Sequence, residues 1–275
     1  MVSNFHLPPA GFGPGSQPDP ADGEDLTYMD MPTGMNTYSP SIPDIDDPAT
    51  LAPALAILDH VADAAERVSR SGVPESFDLT GLDPANLHLV AEVLREGEVS
   101  MKIRGLPALR VQEGVFAGIW RIRGTGEDRI EVGPVPAIAI RRAFEPLRPR
   151  LDPEPGQGVV NAPPIWSELA DKSAGFDGTL HVVNLTLLPH TESDLAWLDA
   201  KMGEGSADIL SRGYGNCRIR ATALAHVWRV QFYNSQDQLI LDTFEVTDMP
   251  EVVLAAPEDL SDSAKRLRDV LGAVR

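Results

Sequence analysis

The 275-residue sequence has little cysteine, few positive charges and no long apolar run. Its one cysteine, Cys217, cannot form an internal disulfide. No apolar run approaches the roughly 20 residues of a membrane span, and the N-terminus lacks a basic-then-apolar secretory signal. The 41 acidic and 23 basic residues give a net charge of −18, which repels phosphate backbones and anionic membranes. We therefore expect a cytoplasmic protein that binds no nucleic acid and does not insert into membranes.

Residues 1–49 are dense in Pro, Gly, Asp and Ser. This composition buries too little apolar surface to offset the entropy of ordering, so it predicts a flexible, extended tail. The tail also contains Met29, Met31 and Met35. Adaptable methionines serve both in packing and at binding surfaces. Two interpretations therefore stay open, namely docking on a groove or partner and packing against the body of the protein.

Helical periodicity begins after the tail. Apolar residues at three- and four-residue steps predict a helix from Thr50, as its N-cap, to Gly72. A second helix is predicted to begin at the Asp83 cap with Pro84 in its first turn, and to end at Gly97. Around it, alternating apolar residues predict strands at 77–80, 99–104, 109–123 and 129–135.

The second half repeats this order after a proline-rich stretch, 146–164, which reads as a linker. A buried strand is predicted at 182–188. Thr191 and Asp194 form a capping-box pattern for a helix that ends near Gly203. Segments 224–232 and 239–246 are predicted to be the two strands of a hairpin. The last apolar periodicity predicts a helix that begins near residue 261.

The chain contains an internal duplication. A shift of 108 residues aligns 96–123 with 204–231 without a gap, and eight of the 28 positions are identical, where about two are expected by chance. The identical pairs are Glu96/Glu204, Gly97/Gly205, Arg104/Arg212, Gly105/Gly213, Arg110/Arg218, Ala117/Ala225, Trp120/Trp228 and Arg121/Arg229. Retention in both copies indicates scaffold roles for four of these pairs, with glycine for an unusual backbone angle, tryptophan for core area and arginine as a hydrogen-bonded brace; the four are Arg104/Arg212, Gly105/Gly213, Arg110/Arg218 and Trp120/Trp228.

The repeat predicts an α+β fold of two tandem, related units with antiparallel sheets. Each unit is expected to be β-α-β-β-β followed by a helix, with the first at 50–150 and the second at 151–275. A unit alone would leave a sheet face or edge uncovered, so the two are expected to pack about a pseudo-twofold axis.

The copies differ most at one corner, which reads GYGNC in the second unit. The first unit has 106–109, LPAL, where the second has 214–217, YGNC. The fold therefore does not require this chemistry, and any further role of the corner belongs to the second unit. Aromatic and amide groups of this kind are enriched at recognition surfaces. The candidate partner-binding residues are Tyr214, Gly215, Asn216, Cys217, Arg218, Tyr233 and Asn234, with the three tail methionines.

Cys217 also permits a chemical alternative. Arg212, Arg218 and Arg220 are close enough in sequence to favour a thiolate, which would make the chain a thiol-dependent enzyme or a redox or metal carrier. Against this, no second cysteine is available to resolve an oxidised form, and His226 alternates with apolar residues. The histidines show no metal-ligand spacing. A binding module is favoured, with no catalytic residue, cofactor or metal site assigned.

The stretch from Ser211 to Pro250, SRGYGNCRIRATALAHVWRVQFYNSQDQLILDTFEVTDMP, resembles the hydrogenase expression/formation proteins of the HupH/HyaF type. The segments GFGPGSQ and MPTGMNTY resemble the N-terminus of that family. The resemblance implies a cytoplasmic accessory protein for nickel-iron hydrogenase that acts on the iron-sulfur small subunit precursor, together with a thioredoxin-like partner protein. It implies no catalytic residue set. Residues 106–109 depart from GYGNC, which separates the first copy from the family's pattern.

Overall fold

A computed structural model describes residues 49–213 and 215–274, and these form an α+β fold. The tail with Met29, Met31 and Met35 lies outside the described residues, as does Tyr214. The helices are α1 (Ala52–Ser71), α2 (Pro84–Leu94), α3 (Ala137–Arg142), α4 (Ala162–Ala174), α5 (Glu192–Met202) and α6 (Pro257–Val274). The strands are β1 (Glu75–Asp78), β2 (Val99–Ile103), β3 (Leu109–Glu113), β4 (Ile119–Gly124), β5 (Glu127–Val132), β6 (His181–Asn184), β7 (Ala207–Ser211), β8 (Asn216–Ala221), β9 (Val227–Tyr233) and β10 (Leu239–Val246). Among these helices, none is long and apolar enough to cross a membrane.

All ten strands belong to one antiparallel sheet whose order reveals the duplication. The order is β1-β5-β4-β3-β2-β7-β8-β9-β10-β6. The two units meet at β2 and β7, and from either edge to the centre each unit runs through its first, fifth, fourth, third and second strand. Met101 of β2 lies opposite Ile209 of β7. These positions are 108 residues apart, which is the shift that aligns the copies. A pseudo-twofold axis therefore passes between them, and the expected tandem α+β architecture is confirmed. The unit boundary at residue 150 stays a prediction.

Helices cover both ends of one face of this sheet. At one end α1, α2 and α6 pack over Ile119, Ile130 and Val132; at the other α4 and α5 pack over Phe244 and Val246. The last helix, α6, packs against α1, so the C-terminus of the chain completes the first unit. Between the two helix groups, the centre of this face carries mainly polar side chains, and we call that centre the open face.

The opposite face of the sheet is covered at its centre. Trp120 and Trp228, both fully buried, lie there beneath α3 and residues 249–253. Their indole Nε1 atoms donate to equivalent carbonyls, of Gly133 at 2.9 Å and of Thr247 at 3.1 Å. The scaffold role expected for the tryptophan pair matches this arrangement.

Several predicted helix ends lie where the sequence signals place them. The Asp83 side chain accepts a hydrogen bond from the Asn86 N–H and caps α2. Thr191 and Asp194 form the full capping box of α5. Gly72 ends α1 with φ 67°, a left-handed conformation that glycine adopts without steric cost.

Other helix ends differ from the prediction. The N-cap of α1 is Leu51 rather than Thr50, and no side chain caps it. Helix α2 ends at Leu94, before Gly97, because Arg95 takes φ 50° and turns the chain. The final helix begins at residue 257, four positions before the predicted start, since proline is tolerated in a first helical turn.

Several strand predictions were wrong in extent. The predicted strand 224–232 begins only at Val227, because residues 223–226 form a turn. The predicted strand 109–123 is two strands, β3 and β4, because the chain turns back at Gly114 and at Gly118, whose φ is +78°. Only the first half of 182–188 is a strand, and a 3₁₀ turn, Leu185–Leu187, follows it. That strand lies at the edge of the sheet, so Val182 is 46% exposed instead of buried.

The proline-rich stretch 146–164 is not a simple linker. Leu147 and Arg148 donate backbone hydrogen bonds to the Glu204 carbonyl. Helix α4 begins inside the stretch, with Pro163 in its first turn, where a missing N–H costs nothing. The carboxylate of Asp194 binds the N–H groups that precede and begin this helix. The stretch is therefore fastened to the second unit.

Candidate functional site

The GYGNC corner is the turn between β7 and β8. Gly215 has φ +96°, so the turn requires glycine there. Gly213 does not have a left-handed φ, and a Cβ added to it would meet only the movable carboxylate end of Glu98, so the unusual backbone angle predicted for it is not present. Only its counterpart Gly105, with φ +101°, matches the predicted backbone role.

Strand pairing brings three of the candidate residues together. Asn216 lies opposite Tyr233, the last residue of β9. The Arg218 guanidinium lies 4.3 Å from the centre of the Tyr233 ring, a cation–π contact, and donates to Asp237 at 2.9 Å. Asn216 and Arg218 are exposed. The corner therefore presents an amide, a guanidinium and an aromatic ring on one surface.

Asn234 has a structural task beside this surface. Its Oδ1 accepts from the N–H groups of Gln236 and Gln238, both at 2.9 Å, and its Nδ2 donates to the Gln238 side chain. These bonds hold the turn between β9 and β10. Asn234 is consequently a support for the corner and for Tyr233, and its partner-binding role stays a prediction.

Cys217 does not belong to the exposed surface. Its side chain points to the opposite face of β8, is 1% exposed and packs in the covered centre with Ile219. Burial, with a smaller effect of Glu245, raises the pKa of the thiol to about 12. The expectation that neighbouring arginines favour a thiolate was wrong, since the thiol is buried and Arg218 and Arg220 lie on the other face of β8. The equivalent residue of the first unit, Leu109, is buried in the same place.

His226 immediately precedes β9, has a φ of 61° and does not face Cys217 across a strand. Its ring stacks on Phe176 with centroids 4.3 Å apart. Over the described ranges, no three His, Cys, Asp or Glu side chains form a group that could hold a metal ion. Within residues 49–213 and 215–274, Cys217 is therefore buried away from His226 and from any group of metal-ligating side chains.

The predicted arginine braces are present at some positions and missing at others. Arg104 donates to Glu204 at 2.7 Å and to Asp208 at 2.8 Å, and Arg218 donates to Asp237 at 2.9 Å. Outside the predicted set, the retained pair Arg121 and Arg229 donates to Asp128 and Asp242, each at 2.8 Å. Arg110, however, is exposed and has no ion pair with any described residue. A brace was the wrong prediction for Arg110, because its strand faces open solvent instead of an acidic neighbour.

Sequence reasoning missed an exposed apolar surface next to the corner. Leu187, Leu239 and Ile240 are 78%, 48% and 57% exposed. Leu239 pairs with Tyr233, and Thr186 Oγ1 accepts from the Asp242 N–H at 2.8 Å, which places Leu187 beside the start of β10. We call Leu187, Leu239 and Ile240 the apolar rim. The prediction of a buried strand over 182–188 concealed the exposure of Leu187, and the predicted hairpin strand 239–246 gave no sign that its first two residues are exposed.

Comparison with known proteins places the chain in a family. A family model described as HupH hydrogenase expression protein, C-terminal conserved region, matches twice, at residues 51–145 and 159–274. Each match covers one unit, so both copies descend from the same kind of module.

Full-length relatives agree with this match. The hydrogenase expression/formation protein HupH of Rhodobacter capsulatus is 61% identical over 100% of both chains. HoxQ of Cupriavidus necator is 43% identical over 98% of each, and the hydrogenase-1 operon protein HyaF of Escherichia coli is 34% identical over 97% of this chain and 95% of its own. A solved structure, hydrogenase expression protein HupH from Thiobacillus denitrificans, is 27% identical and covers 41% of this chain and 96% of its own, with a TM-score of 0.39. The chain belongs to the HupH family of hydrogenase expression/formation proteins.

Proposed function

We propose that this chain is a non-catalytic accessory protein of nickel-iron hydrogenase maturation, and that the corner of its second unit holds a client polypeptide. The proposed client is the precursor of the iron-sulfur small subunit, and the proposed second partner is a thioredoxin-like accessory protein. The proposed compartment is the cytoplasm. The observation that carries the proposal is a polar corner with an adjoining apolar rim, which among the described residues occurs in the second unit and not in the first, in a chain that belongs to this family.

The polar part of the surface is held in a fixed shape. Arg218 is restrained on both sides, by the Tyr233 ring and by the Asp237 carboxylate. A restrained guanidinium and ring lose little conformational entropy when a peptide binds. Asn216 is exposed beside them, and no described residue hydrogen-bonds to its side chain. Its amide can both donate to and accept from a peptide backbone.

The apolar rim supplies the driving force for an extended or partly folded client. Complete burial of a leucine or isoleucine side chain contributes about 1.5–3 kcal/mol, from which the costs of association are subtracted. Rim and corner share the end of β9 and β10 through the Tyr233 to Leu239 pair. One client segment can therefore place apolar side chains on the rim and its backbone against the corner.

The first unit provides a natural control because it lacks both features. Its strands β4 and β5 are joined by only Thr125 and Gly126, so it has no extended strand start like that of β10. Gly81 follows FDLT where Leu187 follows VNLT. Its corner exposes Leu106, 98% accessible, at the position equivalent to Tyr214.

The experiment compares capture of the small subunit precursor by three full-length proteins: the unchanged chain, the double variant Leu187→Ser/Ile240→Ser and the control Leu106→Ser. Each is immobilised and exposed to extract from cells that make the hydrogenase, and precursor and thioredoxin-like protein are detected with specific antibodies. We expect the double variant to bind precursor at least about tenfold more weakly, corresponding to about 1.4 kcal/mol, and Leu106→Ser to bind normally. Undiminished capture by the double variant would reject the proposed site.

A further inference from the structure

The open face carries a row of basic side chains that crosses the centre of the sheet. Cross-strand partners share a face, so the register defines the row directly. Arg123 lies opposite Arg110, Arg110 opposite Lys102, and Lys102 opposite Asp208. The row continues through Arg220 to Arg229. We call Arg123, Arg110, Lys102 and Arg220 the basic row.

The first three members of this row have no acidic partner among the described residues. Lys102, Arg110 and Arg123 are all exposed, and Asp208, the neighbouring acid, is bonded by Arg104 at 2.8 Å. Like charges directly opposite each other on adjacent strands destabilise a sheet. The chain has 41 acidic and only 23 basic residues, so three adjacent unpaired cations are not accounted for by the fold.

A depression opens at the same place. Its volume is about 600 Å³, and its lining includes Lys102, Arg104, Arg110 and Arg123, together with Gly105 and Thr125. Four cationic side chains thus surround one concavity. Such a focused positive potential within a strongly acidic protein raises the local concentration of anionic groups.

We propose that the basic row is a docking site for an acidic segment of a partner polypeptide, lying across strands β4, β3, β2, β7 and β8. Charge complementarity selects this occupant. A nucleic acid carries dense charge along its whole length and is repelled by the surrounding chain of net charge −18. A short acidic segment places its charge only on the row. The three unpaired cations of the row lie on β2, β3 and β4 of the first unit, whereas the corner lies on β8, and the proposal does not depend on the proposed function.

The row also sets the length of the segment. Adjacent strands lie about 4.8 Å apart, so the four intervals from Arg123 to Arg220 span about 19 Å. An extended chain advances about 3.3 Å per residue, so about six residues cover the row. Alternate side chains of an extended segment point the same way. Carboxylates at every second position would therefore face the sheet.

The test measures binding of a fluorescent, end-blocked hexapeptide of alternating glutamate and serine by anisotropy at 50 mM NaCl. The same peptide with glutamine in place of glutamate is the uncharged control. The full-length chain is compared with the triple variant Lys102→Gln/Arg110→Gln/Arg123→Gln. The matched control variant removes three exposed cations elsewhere, Arg70→Gln/Lys172→Gln/Lys265→Gln, and has the same net charge.

We expect the unchanged chain and the control variant to prefer the acidic peptide over the glutamine peptide by at least about tenfold. The triple variant should lose this preference while its melting temperature stays at or above that of the unchanged chain. If the triple variant does not fold, the single change Arg110→Gln should weaken acidic-peptide binding by about threefold. Three results would overturn the proposal: equal binding by all variants, tighter binding of a six-thymidine oligonucleotide at the row, or a dimer that dissociates when the row is neutralised.

Discussion

Glu113 makes the stability of this protein depend on pH in a direction that can be measured. The side chain lies on β3, is 7% exposed and accepts a hydrogen bond from the Gly118 N–H at 3.1 Å. Burial raises the pKa of this carboxyl from 4.5 to about 7, and the charges of Glu98 and Asp259 add to the increase. The Gly118 hydrogen bond opposes the increase without cancelling it.

Between pH 4.5 and about 7 the folded chain retains the Glu113 proton more strongly than the unfolded chain does. The free energy of unfolding therefore falls as the pH rises through this window. Each pKa unit is worth about 1.4 kcal/mol, so the loss in the free energy of unfolding across this window is at most about 3 kcal/mol. The variant Glu113→Gln keeps an acceptor for Gly118 and removes the charge.

Urea unfolding of the unchanged chain and of Glu113→Gln at pH 4.5 and pH 8 tests this reasoning. We expect the variant to be more stable by about 1–3 kcal/mol at pH 8 and nearly equal at pH 4.5. Other titrating groups cancel in the difference, because both proteins contain them. A stability difference that is the same at the two pH values would refute the assignment.

Three further predictions concern stability and reactivity. Asp194→Ala should lower the free energy of unfolding by about 2–4 kcal/mol, because several backbone N–H groups lose their acceptor. Burial alone would raise the pKa of this carboxyl, but those hydrogen bonds hold the pKa at about 2. In acid unfolding the unchanged chain should therefore lose stability as the pH falls from about 4 to 2. Trp120→Phe and Trp228→Phe should each lose about 1–3 kcal/mol in urea, and markedly unequal losses would contradict their equivalence. Cys217 should react with a thiol reagent at least about a hundredfold more slowly in the folded chain than in urea, and fast native labelling would contradict its burial.

Local chemistry that acts within a few residues was readable from the sequence. The Asp83 cap needs only the Asn86 N–H three positions later, and the capping box at Thr191 and Asp194 is equally local. The duplication was readable because both copies kept the residues of one scaffold, such as Trp120 and Trp228. These signals were sufficient for the α+β architecture and the tandem units.

Features that depend on distant neighbours could not be read in this way. Whether Cys217 is a thiolate depends on which face of β8 is covered, and α3 and its surroundings decide that. The break between β3 and β4 depends on Gly118, where a Cβ would meet the Leu260 side chain of a helix about 140 residues away. The basic row requires the register of five strands, so no window of sequence shows it.

The most direct test of the proposed client site compares two equivalent positions in cells that make the hydrogenase. A photoreactive amino acid replaces Asn216 at the corner of the second unit or Ala108, its exposed counterpart 108 residues earlier. Illumination in cells that make the hydrogenase, followed by detection of the small subunit precursor, reports which corner the client contacts. We predict a cross-linked precursor with the probe at position 216 and none with the probe at position 108. Equal cross-linking at both positions, or cross-linking at 108 alone, would contradict the assignment of client binding to the second unit.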